Sequence, residues 1–178
     1  MKKCLLSILF IISIIIIMLL LIGIIFPKKY LNEIRDNANK YGLDESMIAS
    51  VINIESGYDE KAQSTRGAMG LMQILPSTAM EVVDKIGLNI DDISDIYDVE
   101  INIEIGCFYL RYLLDYFNGS IINTLCAYNW GMRNVQDWIN AGNVDNNGEI
   151  TNIPVEETRN YIAKYNLNKY VYDYIYNF

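Results

Sequence analysis

The chain has 178 residues, with 22 acidic against 14 basic side chains, a formal net charge of -8 and no histidine. That balance, with no basic cluster beyond Lys2-Lys3 and Lys28-Lys29, argues against a phosphate-backbone partner, so no nucleic acid is expected. The missing histidine removes Ser-His-Asp, Cys-His and His-zinc chemistry together, and no G-x-x-x-x-G-K or G-x-G-x-x-G run offers a nucleotide cradle.

The opening MKKCLLSILFIISIIIIMLLLIGIIFPKK holds an uncharged run from Cys4 to Phe26, long enough to cross the hydrocarbon core as a helix. No small-x-small cleavage pattern precedes Pro27, so the run reads as an uncleaved signal anchor. Lysines flank it almost evenly and orient it only weakly; an exported domain is the expected arrangement, and a cytoplasmic domain the alternative. Cys4 precedes the run and is not placed like a lipoprotein cysteine. The division expected is 1–29 as transmembrane anchor and 30–178 as one domain, large enough for a proper core. Cys4, Cys107 and Cys126 lack C-x-x-C spacing and read as small buried hydrophobes, with a Cys107–Cys126 disulfide as the alternative in an oxidising compartment.

From Tyr30 onward the signals are helical. YLNEIRDNANKY predicts a helix stopped by Gly42, and Asp44 is placed to cap the next. That next helix carries Ile48, Val51, Ile52 and Glu55 at i, i+3, i+4, i+7, which puts one carboxyl on an apolar face, in a last turn where the helix dipole also disfavours charge. Burial and dipole both raise its pKa. After a glycine-punctuated loop, Ser77 is placed to cap a helix running to about Ile86 and Gly87. IDDISDIYDVE reads as a solvated loop with turns. VEINIEIGCFYLRYLLDYF predicts a long helix closed by Asn118-Gly119, IINTLCAYN another before Gly131, and NVQDWIN a short one before Ala141-Gly142. AGNVDNNGEITNIP reads as a loop. ETRNYIAKYNLNKYVYDYIYNF predicts a final helix or pair of helices; YVYDYIY alternates like a strand but also fits a helical stripe of Tyr161, Tyr165, Tyr172 and Tyr176, read first as core.

Three blocks in order, Glu55-Ser56, Gly70-Leu71-Met72-Gln73 and Ala127-Tyr128-Asn129, resemble the E-S, G-L-M-Q and A-Y-N motifs of the soluble lytic transglycosylase family. A fourth, Glu157-Thr158-Arg159 with Tyr161, is similar to its E-T-R-x-Y segment. The resemblance implies an all-α (mainly α), lysozyme-like fold of the goose-type-lysozyme kind. It implies that Glu55 is the single catalytic acid/base, and that Ser64 is a loop serine touching the N-acetyl or reacting region of the muramic acid. Met72 and Gln73 would be groove residues near the acid, Tyr128 the tyrosine whose hydroxyl lies beside the catalytic carboxyl, Asn129 its companion, and Glu157 an acid that helps hold the glycan. Ser56, Gly67 and Gly70 would shape the loop. Two departures stand out: Trp130-Gly131-Met132-Arg133 replaces the usual A-G-P-G, and Leu75 stands where a methionine is common.

The family cuts the bond between N-acetylmuramic acid and N-acetylglucosamine without water, closing the muramic C6 hydroxyl on its own C1. One protonated carboxyl serves, first as acid and then as base. For Met72 the competing reading is core packing; for Gln73 and Asn129 it is hydrogen bonding that braces the groove. The reading is a membrane-anchored enzyme facing the cell wall, whose partners are peptidoglycan strands and the membrane, with no cofactor and no metal. The alternatives are a muramidase on the same fold, with Asp59, Glu60 or Asp84 placing a water, and a non-catalytic wall-binding member of an envelope protein complex.

Overall fold

The computed structural model describes residues 2–178, with side chains from Leu6 onward, so the readings made of the Lys2, Lys3 and Cys4 side chains fall outside the described residues. Helix α1 (Lys2–Ile25) contains a stretch, Leu6–Ile25, of 20 residues and mean hydropathy 3.5, which by length and composition can cross a membrane. Seven further helices follow among the described residues: α2 (Leu31–Tyr41), α3 (Glu45–Ser56), α4 (Pro76–Ile86), α5 (Val99–Tyr116), α6 (Ile121–Trp130), α7 (Met132–Asn140) and α8 (Glu156–Tyr170). No extended strand forms among the described residues; three isolated antiparallel bridges pair Gln63 with Met69, Met69 with Ile74, and Val144 with Ile150. The first two fold the loop between α3 and α4 back on itself.

Helix α3 is the central element. Ile48, Val51 and Ile52 are fully buried, as their spacing predicts, and α3 packs chiefly against α8, while α5 packs against α2 and α6. Each such side chain taken from water contributes about 1.5–3 kcal/mol. Gly42 ends α2 at φ 61 and Gly57 ends α3 at φ 60, the left-handed conformation that glycine adopts without a Cβ penalty.

Several local expectations are corrected. Asp44 occupies the N-cap position of α3 but makes no capping bond; its carboxylate lies 3.7 Å from Lys169 Nζ instead. Ser77 sits inside the first turn of α4, because Pro76, with φ preset for a helix, takes the first position ahead of it. The acidic segment after Leu88 contains a 3-10 turn, Ile93–Tyr97. There the Asp92 carboxylate accepts from the Ser94 N–H, and the Asp95 carboxylate accepts from the N–H groups of Asp91 and Asp92. Its acids serve as local caps, and Ile96 beneath them is fully buried. The alternating tyrosines continue α8 as a π-helical segment, Val171–Ile175, with Tyr165 and Tyr172 in the core. Cys107 and Cys126 are free and buried; burial pushes the Cys126 thiol up to about 12 and Cys107 higher still. They act as small hydrophobes.

Candidate active site

The packing that buries Ile48, Val51 and Ile52 carries Glu55 to the rim of the core, in the last turn of the helix. The Ser56 hydroxyl donates to the Ile52 carbonyl and accepts from the Tyr58 N–H, which holds the chain reversal directly behind the acid. The Glu55 carboxyl opens on a cleft with two connected lobes. One, of about 310 Å³, is lined by Asn129, Glu157, Tyr161 and Lys164; the other, of about 380 Å³, by Ser64, Arg66, Gln73, Leu75 and Tyr128. Tyr161, on α8, donates its hydroxyl proton to Glu55 Oε1 at 2.8 Å.

Burial pushes the Glu55 carboxyl up to about 7; the Tyr161 hydrogen bond opposes this by favouring the carboxylate, and the negative charge of Glu157 adds to it. Such a group holds its proton near neutral pH yet can release it. Burial first, and then the negative charge of Glu55, hold the Tyr128 and Tyr161 hydroxyls well above the usual phenol range, so both stay protonated as donors.

The loop between α3 and α4 forms the opposite wall. Ser64 N–H donates to the Ala68 carbonyl at 2.9 Å, the Ala68 N–H donates back to Ser64 Oγ at 3.0 Å, and the Gly67 N–H donates to the Ser64 carbonyl at 2.9 Å. Gly67, at φ 82, allows this tight turn, which aims Ser64 into the cleft. Gln73, strained at φ 48, donates its side-chain amide to the carbonyls of Ala62 at 3.1 Å and Gly70 at 3.0 Å, so it braces the loop from within while lining the cleft.

The structure brings Glu55, Ser64, Gln73, Tyr128, Asn129 and Glu157 around one cleft. It does not bring Met72 there. That side chain is fully buried, and a Cβ built on Gly106 of α5 would meet Met72 Sδ at 2.3 Å, so Met72 is a core residue filling the space a glycine leaves. Gly70 is likewise buried and faces Asn102, whose Nδ2 would lie 2.3 Å from an added Cβ; its close approach is to that side chain, not to a sugar. The Tyr128 hydroxyl donates to the Met72 carbonyl at 2.7 Å, and Tyr161 is the tyrosine that hydrogen-bonds the acid. Asn129 Oδ1 accepts from the Thr158 hydroxyl at 2.8 Å, which ties α6 to the first turn of α8 where Glu157 stands.

Two residues escaped the sequence reading. Tyr161 reads as core and is only 5% exposed there, yet it also closes the fourth motif block and bonds Glu55. Asn102 gave no signal, yet it is fully buried and makes three hydrogen bonds: Oδ1 accepts from the Met72 N–H at 2.8 Å, and Nδ2 donates to the carbonyls of Met69 at 3.0 Å and Ile96 at 2.8 Å. Only its position at a helical core spacing among apolar neighbours could have marked it. The departures from the usual motifs also sit at the cleft: Leu75 is exposed along it, and the Arg66 guanidinium lies 5.9 Å from the Trp130 ring centre where the cleft continues. Among the described residues no group of three or more cysteine, aspartate or glutamate side chains converges as a metal site would require.

Residues 32–150 match the family model described as the transglycosylase SLT domain. Over 156 residues the chain is 31% identical to the soluble lytic murein transglycosylase of Escherichia coli K12, covering 86% of this chain and 24% of that protein. Among solved structures, an inactive mutant of the lytic transglycosylase Slt from Pseudomonas aeruginosa superimposes with a TM-score of 0.79 at 28% identity, covering 88% of this chain and 26% of that one. The 70 kDa soluble lytic transglycosylase of Escherichia coli, also solved in complex with bulgecin A, gives 0.76 at 30% identity over 84% of this chain and 25% of that one. The chain thus spans about a quarter of the length of the relatives it matches, and their helical, lysozyme-like architecture is the one it shares. With the family model covering most of the chain, and the acid-bearing cleft between α3, α6 and α8, this chain belongs to the transglycosylase SLT domain family.

Proposed function

We propose that this chain is a peptidoglycan lytic transglycosylase, held to the membrane by residues 1–29 and exposing residues 30–178 to the cell wall. The observation that carries the reading is Glu55: a carboxyl at a cleft, raised to about 7 by burial and held by the Tyr161 hydroxyl. Its family and the activity in its relatives' names support the substrate. Neutral Glu55 protonates the glycosidic oxygen between N-acetylmuramic acid and N-acetylglucosamine, and that C–O bond breaks. The resulting carboxylate takes the proton of the muramic C6 hydroxyl, whose oxygen bonds to C1. No water enters, and the carboxyl ends protonated as it began. Tyr161 fixes one carboxyl oxygen, and Ser64, Gln73, Tyr128, Asn129 and Glu157 line the path of the sugar.

A second reading, hydrolysis on the same fold, is favoured by one observation: Glu157 shares the cleft with Glu55, a second carboxylate of the kind that could place a water. Asp59, Glu60 and Asp84 do not line that cleft; the Glu60 carboxylate accepts instead from the Tyr30 hydroxyl at 3.2 Å. Digestion of purified peptidoglycan separates the readings by product mass. Ends one water lighter than hydrolysis gives, abolished in Glu55→Gln, support the transglycosylase; reducing ends support the hydrolase. No release at all would leave a wall-binding role.

A further inference from the structure

An apolar leader joined to a domain by a loose linker leaves that domain free to roam, and a cleaved signal peptide leaves no trace in its core. Neither description fits the junction here. Phe26, the first residue beyond α1, is 9% exposed and packs edge-on against Tyr172, ring centres 6.4 Å apart. Asn53 Nδ2, on α3, donates to the Ile25 carbonyl at 3.0 Å and to Asn168 Oδ1 at 2.6 Å. The Tyr172 hydroxyl donates to the Pro27 carbonyl at 2.9 Å. Lys28 Nζ donates to the Tyr176 carbonyl at 3.2 Å and lies 5.5 Å and 5.3 Å from the Tyr176 and Phe178 ring centres. Removing the chain before Lys28 would strip a buried aromatic from the core and take the backbone acceptors from Asn53 on α3 and Tyr172 on the π-helical segment.

From this junction we infer that the apolar helix is retained as a structural part of the fold, clamped by α3, α8 and the π-helical segment, and that it fixes the cleft at the membrane surface. The height follows from the helices. Asn53 and Glu55 share the last turn of α3. Along α8, Tyr161, which holds the acid, and Asn168, which joins the clamp, are separated by about 10 Å at 1.5 Å of rise per residue. The acid therefore stands roughly two helical turns from the point where α1 leaves the bilayer. Leu167, Tyr170, Tyr174 and Ile175 are exposed at this same end, and Tyr170 and Tyr174 rest against each other at 5.0 Å, a composition suited to the headgroup level. Resting on the proposed activity, the substrate is glycan lying against the membrane, and strands further out lie beyond reach.

The test uses the full chain in phospholipid vesicles. A donor dye on Asn160→Cys, in a Cys4→Ala background, reports energy transfer to acceptors on lipid headgroups. Two variants are compared with it: a 20-residue Gly/Ser spacer between Pro27 and Lys28, and the same spacer with Phe26→Ala and Asn53→Ala. A free spacer of that length reaches about 25 Å. The expected result is unchanged transfer with the spacer alone, because the clamp and not the chain connection holds the domain, and a several-fold fall when the clamp residues are also replaced. Circular dichroism checks that this second variant is folded; if it is not, the spacer-only arm still decides. A fall with the spacer alone overturns the inference, as does an intact mass from bacterial membranes showing a chain that begins between positions 23 and 30. On glycan strands tethered to the same bilayer through a terminal lipid, the native and spacer chains leave equally short lipid-bound stubs and the released variant longer ones; equal lengths in all three overturn the confined reach. Energy transfer does not depend on cutting, so failure of the proposed activity and failure of the clamp are read separately.

Discussion

The Tyr161 hydroxyl reaches Glu55 Oε1 at 2.8 Å across 106 positions of chain, and so joins the central helix α3 to α8 at the cleft. This bond favours the carboxylate and opposes the burial that favours the acid. Tyr161→Phe should therefore move the alkaline limb of the activity profile upward, by up to about one pH unit. It should also lower kcat at the optimum by roughly 10- to 100-fold, the worth of a hydrogen bond to a charged group converted to rate. A pH series of glycan release on Tyr161→Phe reads both; a fall in rate with no shift of the limb would mean that the tyrosine serves packing alone.

The acid sets a second pH dependence, in stability. With the Glu55 carboxyl raised from 4.5 to about 7 by burial, folded and unfolded chains are both protonated at this site below pH 4.5. Between 4.5 and 7 only the folded chain keeps the proton, so this group's contribution is lost as pH rises through about 7. Glu55→Gln does not titrate. Its stability relative to wild type should grow by about 1–3 kcal/mol from pH 4 to pH 8, the upper figure being the full shift and the lower allowing for the solvent the carboxyl reaches. Urea unfolding at the two pH values measures it, and activity should fall only as pH rises through about 7, where the folded chain gives up the acid form.

Asn102 holds the loop from below. Replacing it with leucine removes acceptors and donors for Met72 N–H, Met69 C=O and Ile96 C=O at once. The expected loss is about 3 kcal/mol or more, since each buried backbone group left unpaired costs about 1–3 kcal/mol. Because Met72 also accepts from Tyr128 at the cleft, kcat should drop further than stability alone explains, which activity measured well below the unfolding midpoint would show.

Gly106→Ala should cost about 1–3 kcal/mol by forcing a methyl group against Met72 Sδ. Pairing it with Met72→Leu, which withdraws the sulfur, should recover part of that loss. Additive losses in the double-mutant cycle would show that the glycine answers to something other than the methionine.

The helices were legible because their signals are local. The spacing of Ile48, Val51 and Ile52, the stops at Gly42, Gly57 and Gly87, and the Asn118-Gly119 break all appear where a 3.6-residue period and left-handed glycines put them. The cleft was legible through its motif blocks, down to Glu55 and its neighbours. What the sequence hid is pairwise and long-range. Met72 occupies a groove motif, yet whether its side chain faces the cleft or the core depends on Gly106, far along the chain on α5. Tyr161, and not Tyr128, hydrogen-bonds the acid, because a phenol bonds whichever acceptor the packing of α6 and α8 brings near. The N-cap of α4 falls on Leu75, two positions before Ser77, because Pro76 takes the first helical position, a shift no periodicity resolves.

The burial of Met72 also decides how the cleft meets oxidants. A thioether on the groove wall would turn polar on conversion to the sulfoxide and alter the surface offered to the sugar. Met72 presents no surface to solvent, whereas Met80 on α4 is 51% exposed. Peroxide should therefore modify Met80, which lies outside the cleft, before it touches the motif methionine, and the cleft keeps its shape as that exposed sulfur oxidises.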